Sequence, residues 1–292
     1  MKIVVFVLCE DHVYGGGRKS INSIKYFNPD FKIVRYGTHD INRLKAQYNC
    51  PDLRFINPLG LKEVWENENP DILIRLGSDC LVLGEFNEII DYDYDVAAAR
   101  NDADDIGNRD ERHNRPDRIN DIPNHEWVNA DLIAIKNYQF VEKYYKQILD
   151  YWNNVDVCVA RQSFYENGIL KFRSYRGDCQ SALNVVFRLG GLRTRILDPI
   201  GGNIYYGSSA SFNSGNGYVA PSIINEYNGK FYNWSSWYDI EYINNQYHLN
   251  GKVVKNLHKG GGGTFKSDKL DIDLFNPSVR EKIQKIMNNE RN

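Results

Sequence analysis

The chain has 292 residues, enough for one large α/β domain with a sizeable core, and its 42% hydrophobic and 25% charged content excludes a disordered polymer. A formal charge of −2 gives no global attraction to nucleic acid or anionic membrane, and no apolar run approaches the ~20 residues of a membrane helix, so stable membrane insertion is not expected. Cys9, Cys50, Cys80, Cys158 and Cys179 are odd in number and lack C-x-x-C spacing, which indicates neither a disulfide framework nor a zinc site and makes a reducing cytoplasm the expected location.

Residues 3 to 9, Ile-Val-Val-Phe-Val-Leu-Cys, read as a first buried strand; they are too short for a signal segment, and Glu10 and Asp11 follow at once. The loop from Glu10 to Arg18 carries Gly15, Gly16 and Gly17 and runs into a helix ending near residue 27. Glycines let a backbone approach a ligand closely, and a helix N-terminus favours phosphate. Tyr14 is placed to stack on a base with Arg18 beside it; a plain flexible turn is the alternative. The loop spells neither a Walker motif nor G-x-G-x-x-G, which disfavours P-loop and dinucleotide chemistry, nor the Arg- and Lys-bearing loop of nucleotidylyltransferases.

Next come an expected strand at 32 to 36, a helix at 40 to 48, a short strand at 53 to 56 and a helix at 61 to 67. Residues 71 to 76 form a near-continuous apolar run, as in a central parallel strand. This alternation predicts a mixed, mostly parallel central sheet flanked by helices. Ligands of open α/β sheets bind at the carboxyl ends of strands, which singles out Asp79, directly after that run and before the apolar Cys80 to Leu83. A hard divalent cation bridging two phosphates needs such a rigid oxygen ligand; a turn aspartate is the structural alternative.

A helix around 86 to 90 and a strand at 96 to 100 follow. Asp93 and Asp95 precede that strand and so lie away from the ligand edge, whereas Asp102 and Asp104 follow it and are candidates for binding sugar hydroxyls or an acceptor. Residues 101 to 125 read as a long polar loop suited to a lid. Strand character returns at 127 to 136, with helices at 139 to 152 and 180 to 189. From 195 to 254 the sequence turns to Gly, Ser, Asn, Tyr and Trp, an acceptor-side elaboration within one domain. The expected organisation is a single domain over 1–292, with a ligand-binding core over 1–190 and the elaboration plus a late loop over 191–292. In that loop, His258 and Lys259 precede Gly260 to Gly263; His258 is a candidate second cation ligand, and Lys259 or Lys266 a phosphate partner. Asp271 and Asp273 fall in a charged tail.

Taken in order, these pieces resemble the GT-A glycosyltransferases, most of all the retaining group that includes glycogenin and the bacterial lipopolysaccharide galactosyltransferases. Asp11 to Tyr14 with Gly17 and Ser20 to Ser23 resembles that family's opening strand, loop and helix, and Leu76-Gly77-Ser78-Asp79-Cys80-Leu81-Val82 its Leu-Asp-x-Asp-x-Leu-Val metal motif. Asn129-Ala130-Asp131 resembles an Asn-Ala-Gly strand lining the donor sugar, and Asp178-Cys179-Gln180 through Asn184 a helix start beside the anomeric carbon. Gly77 stands where the first metal carboxylate of the motif belongs, so water, Ser78 or another carboxylate must replace it, and Asp131 stands where the family has glycine.

The resemblance implies a GT-A, Rossmann-like fold and transfer of a sugar from a nucleoside diphosphate sugar, UDP-sugar favoured, to a hydroxyl acceptor. Asp79 and His258 would hold Mn²⁺ or Mg²⁺. Tyr14, Arg18, Arg75, Ser78, Asp102, Asn129, Ala130 and Lys259 would contact the donor. Gln180 would serve a retaining enzyme at the anomeric carbon, and Asp178 would be the base of an inverting one. A carbohydrate is the favoured acceptor, with modified DNA or a protein as the others open to it. An inactive protein that binds a nucleotide sugar or carbohydrate on the same fold is the rival from another class.

Overall fold

The computed structural model describes residues 1–11, 14–50, 56–100, 128–153, 160–166, 169–175, 179–199, 202–206, 208–209, 225–227, 230–232, 240–249, 251–259, 272 and 275–290. In chain order the first elements are β1 (Ile3–Leu8), α1 (Tyr14–Phe27), β2 (Lys32–Tyr36), α2 (Thr38–Gln47), α3 (Ile56–Glu68), β3 (Ile72–Leu76), β4 (Cys80–Val82), α4 (Asn87–Asp91), β5 (Val96–Arg100), β6 (Val128–Ile135) and α5 (Tyr138–Asn153). They are followed by β7 (Ala160–Glu166), β8 (Ile169–Tyr175), α6 (Cys179–Leu189), β9 (Thr194–Ile196), β10 (Ile204–Tyr205), β11 (Ser208–Ser209), β12 (Asn225–Tyr227) and β13 (Lys230–Tyr232). The last are β14 (Ile240–Ile243), β15 (Gln246–Leu249), β16 (Lys252–Val254), β17 (Asn256–Lys259) and α7 (Pro277–Asn288).

The central sheet runs β2-β1-β3-β6-β5-β9, and all its neighbours are parallel except β6, which is antiparallel to both β3 and β5. The expected mixed, mostly parallel sheet with flanking helices is what the chain forms. Strand β1 shows why it sits inside. Its β-branched and aromatic run pairs on both edges and buries both faces, Val4 and Phe6 packing with the α2, α3, α5 and α6 side, Val5 and Val7 with the α1 and α4 side. On the first side α3 comes so close that a β-carbon on Gly60 would lie 2.5 Å from Cζ of Phe6.

A smaller sheet, β10-β16-β15-β14, packs with α7 around a third core of Leu81, Tyr205, Tyr247, Leu249, Phe275 and Ile283. β17 joins this part to the central fold by pairing with β4. β9 falls in the segment read as elaboration, yet forms the edge of the central sheet. Two expectations change. Ile56 opens α3 rather than closing a strand, its buried side chain facing the first core, while 51–55 lie outside the described residues. The charged tail contains α7, capped by Asn276, whose side chain accepts from Ser278 N, with Pro277 at its first position and Asn289 in the left-handed conformation at its end. The expected lid at 101–125 lies outside the described residues. Among those described, no helix is long and apolar enough to cross a membrane.

Candidate active site

At one edge of the central sheet the carboxyl ends of β1 and β3 meet the amino end of β6, because β6 alone runs the other way. Asp79 sits there in the turn between β3 and β4. That turn is fixed from several sides. The Gly77 N–H donates to the Asp131 carbonyl at 2.7 Å, and the Gly77 carbonyl accepts from Cys80 N at 3.1 Å and from the buried Ser20 hydroxyl at 2.9 Å. Ser23, one turn further along α1, accepts from Val82 N at 2.9 Å. Two small hydroxyls on one helix face therefore tie α1 to both sides of the turn. Gly17 completes the approach: a β-carbon there would fall 2.4 Å from Cys9 Sγ and 3.6 Å from Ser78 Cβ.

Three ligand-capable groups converge at this edge. His258 Nε2 lies 2.9 Å from Asp131 Oδ2 and 3.3 Å from Asp79 Oδ1, and one ligand atom from each of the three residues falls within 4.8 Å of the others. His258 arrives on β17, opposite Cys80 of β4, and is buried. Its Nδ1 is buried and has no hydrogen-bond partner among the described residues. Asp131 is carried by β6, and its other oxygen, Oδ1, pairs with Arg75 Nη1 at 2.5 Å. Burial alone would lower the His258 pKa, but the Asp131 and Asp79 carboxylates outweigh it and push it up to about 10. Burial would raise that of Asp131; His258 and Arg75 instead hold it well below the usual carboxylate range.

Asp131 is the ligand-capable residue that sequence reasoning did not select. Two carboxylates and an imidazole form a mixed oxygen and nitrogen donor set of the kind that can hold a divalent cation. The three ligand atoms lie close together, on half-buried Asp79 and Asp131 and on buried His258, and so fit an ion physically.

The remaining candidates divide. Arg75 is buried and engaged with Asp131. Ser78 is half-buried in the turn. Asn129 is buried, its side-chain oxygen accepting from Asp131 N at 2.6 Å, so it shapes the strand just before the carboxylate. Gln180 accepts from Ala130 N at 2.8 Å and donates to the Val128 carbonyl. Asn184, one turn on, accepts from Val128 N at 2.9 Å and donates to the Val128 carbonyl at 3.0 Å. These two amides satisfy β6 where its register with β5 breaks between Ala98 and Arg100. Arg18 is exposed on α1, and Tyr14 opens that helix. Lys259 ends β17, where it pairs with Ser209. Asp102 and Asp178 lie outside the described residues, as do the side chains of Tyr14 and Lys259. Asp93 and Asp95 have a structural role at the amino end of β5: both pair with Arg193.

No protein-family model matches the sequence, and no curated protein matches it. Among solved structures the chain is similar to the galactosyltransferase LgtC in complex with donor and acceptor sugar analogs, at 12% identity over 98% of this chain and 95% of that one, with a TM-score of 0.46. It is similar to mouse xyloside xylosyltransferase 1 at 9% identity over 91% of this chain and 100% of that one, TM-score 0.49. A third likeness is to the bifunctional glycosyltransferase WbbM, at 16% identity over 67% of this chain, TM-score 0.40; the match spans only 38% of the WbbM chain.

Proposed function

We propose that the chain is a GT-A-type glycosyltransferase that moves a sugar from a nucleoside diphosphate sugar, UDP-sugar favoured, to a hydroxyl acceptor with the help of a divalent cation. The observation that carries this is the convergence of Asp79, Asp131 and His258 at the ligand edge of the sheet, beside the glycine-bearing start of α1. Asp79, Asp131 and His258 would hold Mn²⁺ or Mg²⁺, which when bound neutralises charge on a departing diphosphate. The protein's own part is to fix that position. Arg75 holds one Asp131 oxygen, Ser20 and the Asp131 carbonyl hold the turn before Asp79, and the first turn of α1 brings backbone N–H groups toward an anion. Lys259, Arg18 and Tyr14 are the proposed diphosphate and base partners, and Asn129, Ala130, Ser78 and Asp102 would contact the donor.

A retaining course is the favoured one, with Gln180 next to the strand that carries Asp131. Asp178 is the proposed base if the course is inverting. Thermal-shift screening of nucleotide sugars with and without Mn²⁺ tests donor and ion together. Metal-dependent stabilisation by a UDP-sugar, followed by its hydrolysis or transfer, is the expected result; binding without any turnover across donors and acceptors would overturn the enzyme assignment. Proton NMR of the product anomer decides the course.

A further inference from the structure

Gly77 and Asp131 are directly opposed across the β3–β6 pairing. The antiparallel register runs to Leu76 opposite Leu132, and the next pair is joined by the bond from Gly77 N to the Asp131 carbonyl. Opposed residues of an antiparallel pair project their side chains from the same sheet face, with β-carbons normally about 4.5 to 5.5 Å apart. Here a β-carbon on Gly77 would lie 3.1 Å from that of Asp131 and 3.0 Å from Oδ1 of both Asp131 and Asp79. The backbone does not ask for glycine at this point, since the described glycines with positive φ are Gly191 and Gly251. The demand comes from side-chain space: the room that position 77 lacks is the room the Asp131 carboxylate fills between Asp79, His258 and Arg75.

We propose that the cluster contains a single carboxylate seat which either member of this cross-strand pair can furnish, and that Gly77 is a positioning residue whose empty side lets Asp131 take it. Two side chains in the seat would crowd each other, because contacts of 3.0 to 3.1 Å to a β-carbon at 77 require the Asp131 or Asp79 side chain to give way. A second carboxylate at 77 would add like-charge repulsion between directly opposed residues to the steric conflict. A carboxylate at 77 facing glycine at 131 would occupy the same volume, on the same face, within reach of the same Arg75. The ion-binding part of this proposal rests on the function proposed above; the packing part does not.

The test uses the full chain with Gly77→Asp, Asp131→Gly and the two combined, measuring unfolding in chelator and Mn²⁺ affinity by calorimetry and electron paramagnetic resonance. Each single change is expected to weaken Mn²⁺ binding at least about tenfold. The reciprocal exchange is expected to bring affinity back to within about threefold of the parent and to regain the melting temperature lost in Gly77→Asp. If Gly77→Asp does not fold, Gly77→Ala adds the β-carbon alone, and its loss of stability should be relieved by Asp131→Gly. An exchange protein that binds Mn²⁺ no better than Asp131→Gly would overturn the shared seat, as would a Gly77→Asp protein equal to the parent in melting and affinity. If the parent itself binds no Mn²⁺, the ion site fails, and the stability cycle still decides the seat: additive losses refute it, and mutual relief supports it.

Discussion

Arg75 and Asp131 form an ion pair, Nη1 to Oδ1 at 2.5 Å, in which the guanidinium is almost fully enclosed and the carboxylate keeps a quarter of its surface. Removing one member of a buried pair strands the other charge, which is costlier than never having had the pair. Arg75→Met is therefore expected to destabilise the protein by about 3 kcal/mol, and Arg75→Met with Asp131→Leu by clearly less. Urea titration of both variants measures this.

His258 makes the metal-free protein pH-sensitive. Its pKa is raised from 6.5 to about 10 against the opposing pull of burial, because Asp131 and Asp79 favour the charged form. A raised pKa means the folded state binds the proton more tightly than the unfolded chain. The resulting stability is complete below pH 6.5 and is lost as pH rises through about 10. Melting temperature in chelator should fall across that window, and His258→Asn should flatten the fall. An ion taking the imidazole must displace this proton, so Mn²⁺ affinity should increase with pH over the same range, with proton release seen by calorimetry in buffers of different ionisation heat.

Asn184 is wholly buried and uses both ends of its amide on Val128. Asn184→Ala leaves a buried N–H without its acceptor, at a cost of about 2 kcal/mol. Faster hydrogen exchange at Val128 and Ala130, with β1 and β3 unchanged, would place the loss at the start of β6.

Gly60 packs its bare α-carbon against the ring of Phe6. The extra carbon of Gly60→Ala, 2.5 Å from Cζ, forces the ring or α3 to move and should cost about 1 to 3 kcal/mol despite alanine's better helix propensity. Chemical denaturation gives the sign: a more stable Gly60→Ala protein would contradict the contact.

Local signals were enough for much of this arrangement. The apolar runs of β1 and β3 announce buried strands, and Asp79 stands out because it follows one of them. His258 is marked by its lysine and glycine neighbours. Asp131 is marked only by interrupting an apolar strand where the resembled family has glycine, and its partner becomes visible only when register sets it opposite Gly77. Gln180 and Asn184 have helical i, i+4 spacing, but that spacing does not say that both amides serve β6. The 53–56 stretch reads as a strand because Ile56 is apolar, while the core claims that side chain for a helix. In α7 the Asn276-Pro277 start and the apolar spacing of Val279, Ile283 and Ile286 are local helix signals that follow closely on the acidic Asp271 and Asp273.

Residues 79, 131 and 258 come from distant parts of the chain, and the last arrives only through the pairing of β17 with β4, whose partners His258 and Cys80 are far apart in sequence. Contacts so distant in sequence carry the largest loop-closure cost and tend to form late. A folding intermediate with the central sheet assembled would have both carboxylates in place and no imidazole between them. Under the proposed function, ion capture would be a readout of completed folding: the chain would gain its full cation affinity at the step that docks its C-terminal strands.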